Sequence, residues 1–361
     1  MPSTRTIGLT TGGGDCPGLN AAIRAIVHAA KMEHEWRVIG VTDGFNGLIR
    51  PEQCHELTLE SVRGILPRGG TILGTTNSSD PFAFPVEESG RKTAQDYSRR
   101  CFGGMQKLGI EALIVIGGNG TLSIAERFVQ LGMKLVGVPK TIDNDLQHTE
   151  VTLGFDSALH IATEAIDRLH STAESHHRVM VVEMMGRDAG WIALHSGVAG
   201  GADVILLPEI PFTIECVCEA IRHREATGHS FSVVVVAEGV KLPERDSTGK
   251  PLPKTIAGQA GNSLAQAIRE RVDKEVRVTV LGHLQRGGSP SPFDRILATR
   301  FGTSAVELIA REEYGRMVSL RAGKIESVPI AEAISPIRLV DPASEVVRAA
   351  RAVGISFGDQ S

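Results

Sequence analysis

The sequence predicts an α/β fold of two doubly wound, mostly parallel sheets with helices on both faces. Three observations carry that prediction. Short apolar, partly β-branched runs recur along the chain, as expected of strands buried on both faces. Between them lie stretches with apolar residues at helical spacing. Several of the runs end in glycine-rich or charged loops, which in an open α/β sheet share the carboxyl edge where ligands bind.

The elements follow in order. Ile7-Gly8-Leu9 reads as a strand and runs into Thr10-Thr11-Gly12-Gly13-Gly14-Asp15-Cys16-Pro17-Gly18-Leu19-Asn20, and Ala21–Val27 then reads as a helix. A strand, a glycine turn and a helix let backbone N–H groups and a helix N-terminus converge on an anion. Glycine lets the main chain approach a bulky oxyanion without a Cβ in the way. A tight turn with no ligand is the plain alternative. Ala112–Ile116 is the next clear strand, closed by Gly117-Gly118-Asn119-Gly120-Thr121, with Leu122, Ile124, Ala125 and Phe128 at helical spacing after it. Lys134–Val138 reads as a strand ending in Pro139-Lys140-Thr141-Ile142-Asp143-Asn144-Asp145. Ser157–His170 is an amphipathic helix. Strands are predicted at Val179–Met184, Ala202–Leu207, Phe231–Ala237 and Val276–Leu281, with helices at Ala189–Val198, Thr213–Glu225 and Ser263–Val272. Such alternation argues for parallel sheets. Ser78–Glu88 and Leu242–Lys254 are polar, carry proline or glycine, and read as irregular surface loops or lids.

Composition narrows the function classes. The 361 residues suffice for one large domain or two ordinary ones. A net charge of −4 gives no basic surface for nucleic acid or an anionic membrane. No apolar stretch approaches the roughly 20 residues of a membrane span, and Met1–Arg5 lacks a secretory pattern, so a cytoplasmic location is expected. The five cysteines (Cys16, Cys54, Cys101, Cys216, Cys218) show no zinc or redox spacing and read as reduced structural thiols.

The segment Thr141–Asp145 sets two carboxylates two positions apart beside a hydroxyl. Phosphoryl transfer to an alcohol needs a base, a metal on the phosphates and cations around the equatorial oxygens. One aspartate suits the base and the other a magnesium ligand; a loop of Asx-turns is the bland reading. Arg187, in Met185-Gly186-Arg187-Asp188, follows a strand, as do His283 and Arg286 in Leu281–Pro290. Arginine's planar fork favours phosphate, although a structural ion pair is the commoner use. Glu238 ends the Phe231–Ala237 strand and can accept sugar hydroxyls or simply be solvated.

The strings GGGDCPGLN, GGNGT, PKTIDND, GFDSA, MMGR, LLPE, VVAEG and LGHLQRGGSPSPFDR, in this order from about Ile7 to about Leu308, resemble the 6-phosphofructokinase family, in its long bacterial, ATP-using or mixed-substrate form. The resemblance implies two domains with the active site in the cleft between them. Residues 1–150 with about 285–335 would form the nucleotide or phosphate-donor domain, and 151–284 with about 336–361 the sugar-phosphate domain. It implies transfer of a phosphoryl group from MgATP to the 1-hydroxyl of fructose 6-phosphate in glycolysis. Asp143 would be the base, Thr141 would bond near the transferring group, and Arg187 would stabilise its charge. Gly14, Asn77, Ser78, Gly118, Asn119, Gly120, Thr121 and Lys140 would hold the donor, with Mg2+ at Asn119 and Asp145. Met185, Gly186, Glu238, His283 and Arg286 would bind the sugar phosphate together with Thr141, Asp143 and Arg187. Arg178 and Arg277 resemble residues that reach a neighbouring subunit's substrate, which implies a homotetramer, with a dimer as the alternative. No nucleic acid or membrane partner is expected.

Several positions depart from the common bacterial pattern. Asn119 stands where an acidic, magnesium-associated residue is usual, and Asn77 where many members place a donor-binding arginine. Lys140 is expected to replace part of that charge. In pyrophosphate-using relatives an aspartate fills the space that Gly120 leaves open for the α-phosphate of ATP, so Gly120 favours ATP; Lys140 is the residue expected of the pyrophosphate users and of the mixed long bacterial relatives. His28 replaces an effector-binding arginine, and Arg222-His223-Arg224-Glu225 lacks the lysine cluster of short bacterial enzymes. Glu209 matches an effector-site acid but stands without those partners, so allosteric control does not transfer. The rival readings are a pyrophosphate-dependent enzyme and a non-catalytic nucleotide-binding paralogue. A dinucleotide oxidoreductase is disfavoured because no G-x-G-x-x-G fingerprint with a ribose-binding acid is present.

Overall fold

A computed structural model of the chain describes residues 5–77, 80–88, 91–254 and 258–359. The chain divides into two units: 1–141, 146–157 and 286–337 form the first, and 142–145, 158–285 and 338–361 the second.

The first unit is built on strands β1 (Thr6–Thr11), β2 (Arg37–Val41), β3 (His55–Leu57), β6 (Ala112–Gly117) and β7 (Leu135–Pro139), with β12 (Arg316–Arg321) and β13 (Lys324–Pro329) near its end. They form one sheet in the order β13-β12-β7-β6-β1-β2-β3. The five inner strands are parallel, and the edge strands β3 and β13 are antiparallel to their neighbours. From β1 the chain steps to β2 on one side and later to β6 and β7 on the other. The strand order therefore reverses at β1 and β6, the position where open α/β sheets bind ligands.

Helix α1 (Leu19–His34) packs against α9 (Pro292–Ala310), close enough that a Cβ on Gly302 would lie 2.8 Å from that of Ala25. The short α2 (Asn46–Ile49) with α3 (Ser98–Leu108), α4 (Asn119–Gln130) and α10 (Ile330–Ile334) share a core with Leu113, Val115 and Leu135. Phe128 of α4 is fully buried there against the rings of Phe45, Phe82 and Phe102.

The segment Ser78–Glu88 is not irregular throughout. Phe84–Glu88 is β4, paired antiparallel with β5 (Arg91–Gln95), and Phe84 stacks on Tyr97 at 5.0 Å. Proline and two glutamates hide the alternation that would mark this strand.

The second unit holds a four-stranded parallel sheet, β11-β8-β10-β9, from β8 (Val179–Met184), β9 (Val204–Leu206), β10 (Ser232–Ala237) and β11 (Val276–Val280). Its helices are α6 (Trp191–Ala199), α7 (Ile214–Ala226), α8 (Ala260–Arg269) and α11 (Glu345–Ala352), and α5 (Phe155–His176) begins in the first unit and continues here. No helix among the described residues is long and apolar enough to cross a membrane.

Candidate active site

In the first unit, three neighbouring parallel strands end side by side. The loop Gly12–Gly18 follows β1, Gly118 follows β6 and Lys140 follows β7. Gly13 adopts φ 79° and Gly18 φ 107°, both in the region where a Cβ is strained. The loop is bracketed by the segment 74–77: Gly13 N–H donates to the Thr76 carbonyl at 3.1 Å, and Thr75 Oγ1 donates to the Gly13 carbonyl at 2.5 Å. Asn77 Oδ1 lies 4.0 Å from where a Cβ on Gly13 would be. Ser78 lies outside the described residues.

Lys140 is 2% exposed, and its ammonium donates to the carbonyls of Gly12 (2.8 Å) and Gly14 (2.5 Å). The side chain thus ties two carbonyls of the glycine loop together while keeping a positive charge at it. Arg286 approaches from another direction. Its Nη1 donates to the Asp15 carbonyl at 3.2 Å and would lie 2.5 Å from a Cβ on Gly14. Cys16 is fully buried, and burial pushes its thiol up to about 12 against the opposing charge of Lys140. It is a packing residue against Gly154, where an added Cβ would collide with the sulfur.

Helix α4 starts from Gly118 without a side-chain cap, so its first N–H groups have no side-chain acceptor there. Such an end favours an anion. A Cβ on Gly120 would meet nothing within 4 Å. Thr121 is turned inward, filling the space that Gly12 and Gly117 leave by having no side chain. Asn119 is spoken for on one side: its Nδ2 donates to the Ile334 carbonyl at 2.8 Å, and Oδ1 accepts from Ser123 at 3.3 Å.

The division between units passes through the aspartate turn, with buried Thr141 in the first and buried Asp143 and Asp145 in the second. Thr141's carbonyl accepts from Thr152 Oγ1 at 2.6 Å. Asn144 sits in the left-handed region at φ 53°. Burial, and then the charge of Asp143, push the Asp145 carboxyl up to about 6. Asp145 Oδ1 is buried with no hydrogen-bond partner among the described residues, an arrangement a cation would relieve. Among the described residues no group of three or more His, Cys, Asp or Glu is placed to hold a metal. Magnesium commonly needs only one or two carboxylates plus substrate phosphates and water, so the donor set fits a dication that arrives with its phosphates.

In the second unit, the carboxyl ends of β10, β8 and β11 are neighbours. Met185-Gly186-Arg187 follows β8, Glu238 follows β10, and exposed His283 lies in the 3-10 turn Gly282–Arg286 after β11. Glu238 Oε1 accepts from the backbone N–H groups of Gly186 (3.2 Å) and Arg187 (2.9 Å). This clamp holds Arg187 at φ 54°, a left-handed conformation that a non-glycine residue keeps only when its surroundings impose it. Glu238 therefore shapes the arginine turn, a use its sequence position did not reveal. Arg178 and Arg277 are brought together by Glu275, which Arg178 Nε contacts at 2.6 Å and Arg277 also pairs with.

Sequence reasoning missed Thr75, Thr76 and Arg338. Arg338 donates its N–H to the Asp145 carbonyl at 2.8 Å. Only their place directly before Asn77, in Gly74-Thr75-Thr76-Asn77, gave a signal for the first two; nothing local marks Arg338.

Comparison with known proteins agrees with this layout. A phosphofructokinase family model matches residues 6–309. An ATP-dependent 6-phosphofructokinase of Chloroflexus aggregans is 51% identical over 98% of both chains. A pyrophosphate–fructose 6-phosphate 1-phosphotransferase of Streptomyces coelicolor is 48% identical over 98% of this chain and 99% of its own. Among solved structures, phosphofructokinase of Pichia pastoris superposes with a TM-score of 0.78 at 31% identity, covering 99% of this chain and 38% of the yeast chain.

Proposed function

The chain belongs to the phosphofructokinase family, and from that premise we propose that it is an ATP-dependent 6-phosphofructokinase of glycolysis. The reaction moves the γ-phosphoryl group of ATP to the 1-hydroxyl of fructose 6-phosphate. The observation that carries the reading is the convergence of three strand ends in the first unit: the glycine loop, the uncapped start of α4, and Lys140 bonded to the loop.

Each residue has a task. Asp143 takes the proton of the 1-hydroxyl as its oxygen bonds to the γ-phosphorus and the bond to the β–γ bridging oxygen breaks. Arg187, fixed by Glu238 through its backbone, meets the charge on the transferring group, and Thr141 hydrogen-bonds beside it. Gly14 offers its N–H to the phosphates. Gly118, Asn119, Gly120 and Thr121 hold the donor's phosphate chain at the start of α4, with Asn77, Ser78 and Lys140 beside the glycine loop. Mg2+ would be held by Asp145, with Asn119 Oδ1 as the second protein oxygen, and would supply charge neutralisation of the donor phosphates. Met185, Gly186, Glu238 and His283 form the sugar-phosphate side, with Arg286 for its phosphate. Arg178 and Arg277, paired through Glu275, serve a neighbouring subunit's substrate, in a cytoplasmic homotetramer. In this reading the donor's phosphates are held mainly by first-unit residues and the sugar mainly by second-unit residues, with Arg286 of the first unit on the sugar's phosphate and Asp145 of the second on the donor's magnesium.

ATP is favoured over pyrophosphate by the open space at Gly120 and by the name of the Chloroflexus relative. Pyrophosphate is the second reading, favoured by Lys140 at the glycine loop and by the name of the Streptomyces relative. Turnover of fructose 6-phosphate by the purified chain with magnesium, comparing ATP and pyrophosphate, decides. Turnover with ATP supports the proposal, turnover with pyrophosphate alone supports the second reading, and none with either donor overturns both.

A further inference from the structure

Glu209 occupies the position of an effector-site acid without that site's cationic partners, and its geometry points elsewhere. Its Oε1 accepts two backbone N–H groups, from Gly190 at 2.9 Å and from Val340 at 3.0 Å. Gly190 is the residue from which α6 starts. A Cβ there would lie 2.8 Å from Glu209 Oε2, so only glycine leaves room for the carboxylate. Val340 belongs to the segment 338–340, which is fastened a second time: Trp191 Nε1 donates to the Arg338 carbonyl at 2.9 Å, and the Arg338 guanidinium lies over the Trp191 ring at 4.4 Å. From this fastened segment Arg338 donates its N–H to the Asp145 carbonyl at 2.8 Å.

These bonds form one connected path within the second unit. Glu209 and Trp191 hold residues 338–340 against the start of α6, and Arg338 holds the end of the aspartate turn, where Asn144 is in a left-handed conformation. The same carboxylate also fixes the far end of the loop 185–190, whose near end Glu238 clamps around Arg187. One carboxylate oxygen serving two buried N–H groups makes a charge-assisted pair of bonds. Without it, both donors are left buried and unsatisfied.

We propose that Glu209 is a positioning residue for phosphoryl transfer: it sets the aspartate turn through the segment 338–340 and the Arg187 turn through Gly190. This rests on the proposed function for the roles of Asp143, Asp145 and Arg187. It differs from effector binding in what the carboxylate holds: Oε1 is used on two backbone N–H groups of the fold, and Oε2 is buried with no hydrogen-bond partner among the described residues. Small displacements of reacting groups cost rate steeply, so the effect should fall on kcat.

The test uses the full chain with Glu209→Ala, Glu209→Gln and Trp191→Phe, read by steady-state kinetics without effectors and by hydrogen–deuterium exchange. Glu209→Ala should lower kcat by about tenfold or more while KM for each substrate changes by no more than about twofold. Peptides covering 143–146 and 338–341 should exchange faster. Glu209→Gln keeps the Oε1 acceptor and should restore most of kcat and the protection. Trp191→Phe keeps the ring but removes the bond to Arg338, and should lower kcat in the same direction. Wild-type kcat in Glu209→Ala, with only the response to a nucleoside diphosphate altered, overturns the proposal. So does a loss of kcat in Glu209→Ala with unchanged exchange of the peptides 143–146 and 338–341, because the loss would then not run through the aspartate turn. If Glu209→Ala does not fold, Trp191→Phe decides: an unchanged kcat overturns the idea. If the wild-type chain turns over neither donor, the functional reading fails by itself, and exchange at 143–146 still tests the path.

Discussion

Asn119 Nδ2 donates to the Ile334 carbonyl at 2.8 Å, tying the first turn of α4 to α10 within the first unit. An aspartate cannot make this bond: it has no donor and would set a negative oxygen against a carbonyl oxygen. The amide that departs from the family's acidic residue is thus matched to its neighbour. Asn119→Asp should cost roughly 1–3 kcal/mol of stability and lower Tm, without reducing the magnesium concentration needed for half-maximal activity. A variant with unchanged Tm and a lower magnesium requirement would show instead that the site wants a carboxylate.

Gly14 and Arg286 share one space. A Cβ on Gly14 would meet only the far end of the Arg286 side chain, which can move, whereas a Cβ on Gly12 would press on buried Thr121 at 2.6 Å. Gly14→Ala should therefore fold with a near-native Tm but displace Arg286 from the Asp15 carbonyl, raising KM for the sugar phosphate about tenfold. Gly12→Ala should lower Tm. Equal thermal losses in both variants would contradict the distinction.

Gly120 is open on the side where a side chain would project, and its backbone is not in the left-handed region. Gly120→Asp adds an acid in the first turn of α4, a place that favours negative charge, so Tm should not fall. The same acid would oppose the donor's phosphate chain by like charge, and kcat/KM for ATP should drop on the order of a hundredfold. Unchanged kcat/KM for ATP would sink the steric argument for the donor; a gain of pyrophosphate turnover would strengthen it.

Much of the fold was legible because its inner strands are unambiguous. Ala112–Gly117 and Ser232–Ala237 are buried at every residue, and buried parallel strands read as continuous apolar runs. The strands that escaped notice lie at or near sheet edges. Lys324–Pro329 is half exposed, and Arg316–Arg321 mixes arginines and serine into its apolar positions, so neither shows a clean period. At the site, residue types were legible but their engagements were not. Lys140 read as a cation for the donor, yet its ammonium holds carbonyls more than 120 positions back along the chain. Glu238 read as a sugar ligand, yet one of its oxygens is used on the Arg187 turn. Neighbour identity across such separations is set by topology, which local pattern does not encode.

Asp294 joins two helices of which only one was foreseen. Fully buried, its carboxylate accepts from Gly154 N–H (3.0 Å), Ser157 N–H (2.9 Å) and Ser157 Oγ (2.6 Å) at the start of α5, while its own N–H donates to Ser291 Oγ at the start of α9. Burial outweighs these donors and raises its carboxyl from 3.8 to about 6. A carboxyl that holds its proton more tightly when folded contributes stability that is fully present below the unfolded value and is lost as pH rises through the folded one. The advantage of the wild-type chain over Asp294→Asn should therefore be largest near pH 4, shrink as pH rises to about 6, and stay flat above pH 7, where the ionised group must be buried at a cost. Tm of both proteins measured across that range gives the difference directly. An advantage that instead grows as pH rises from 4 to 7 would mean that the three donors prevail over burial and the group is held ionised.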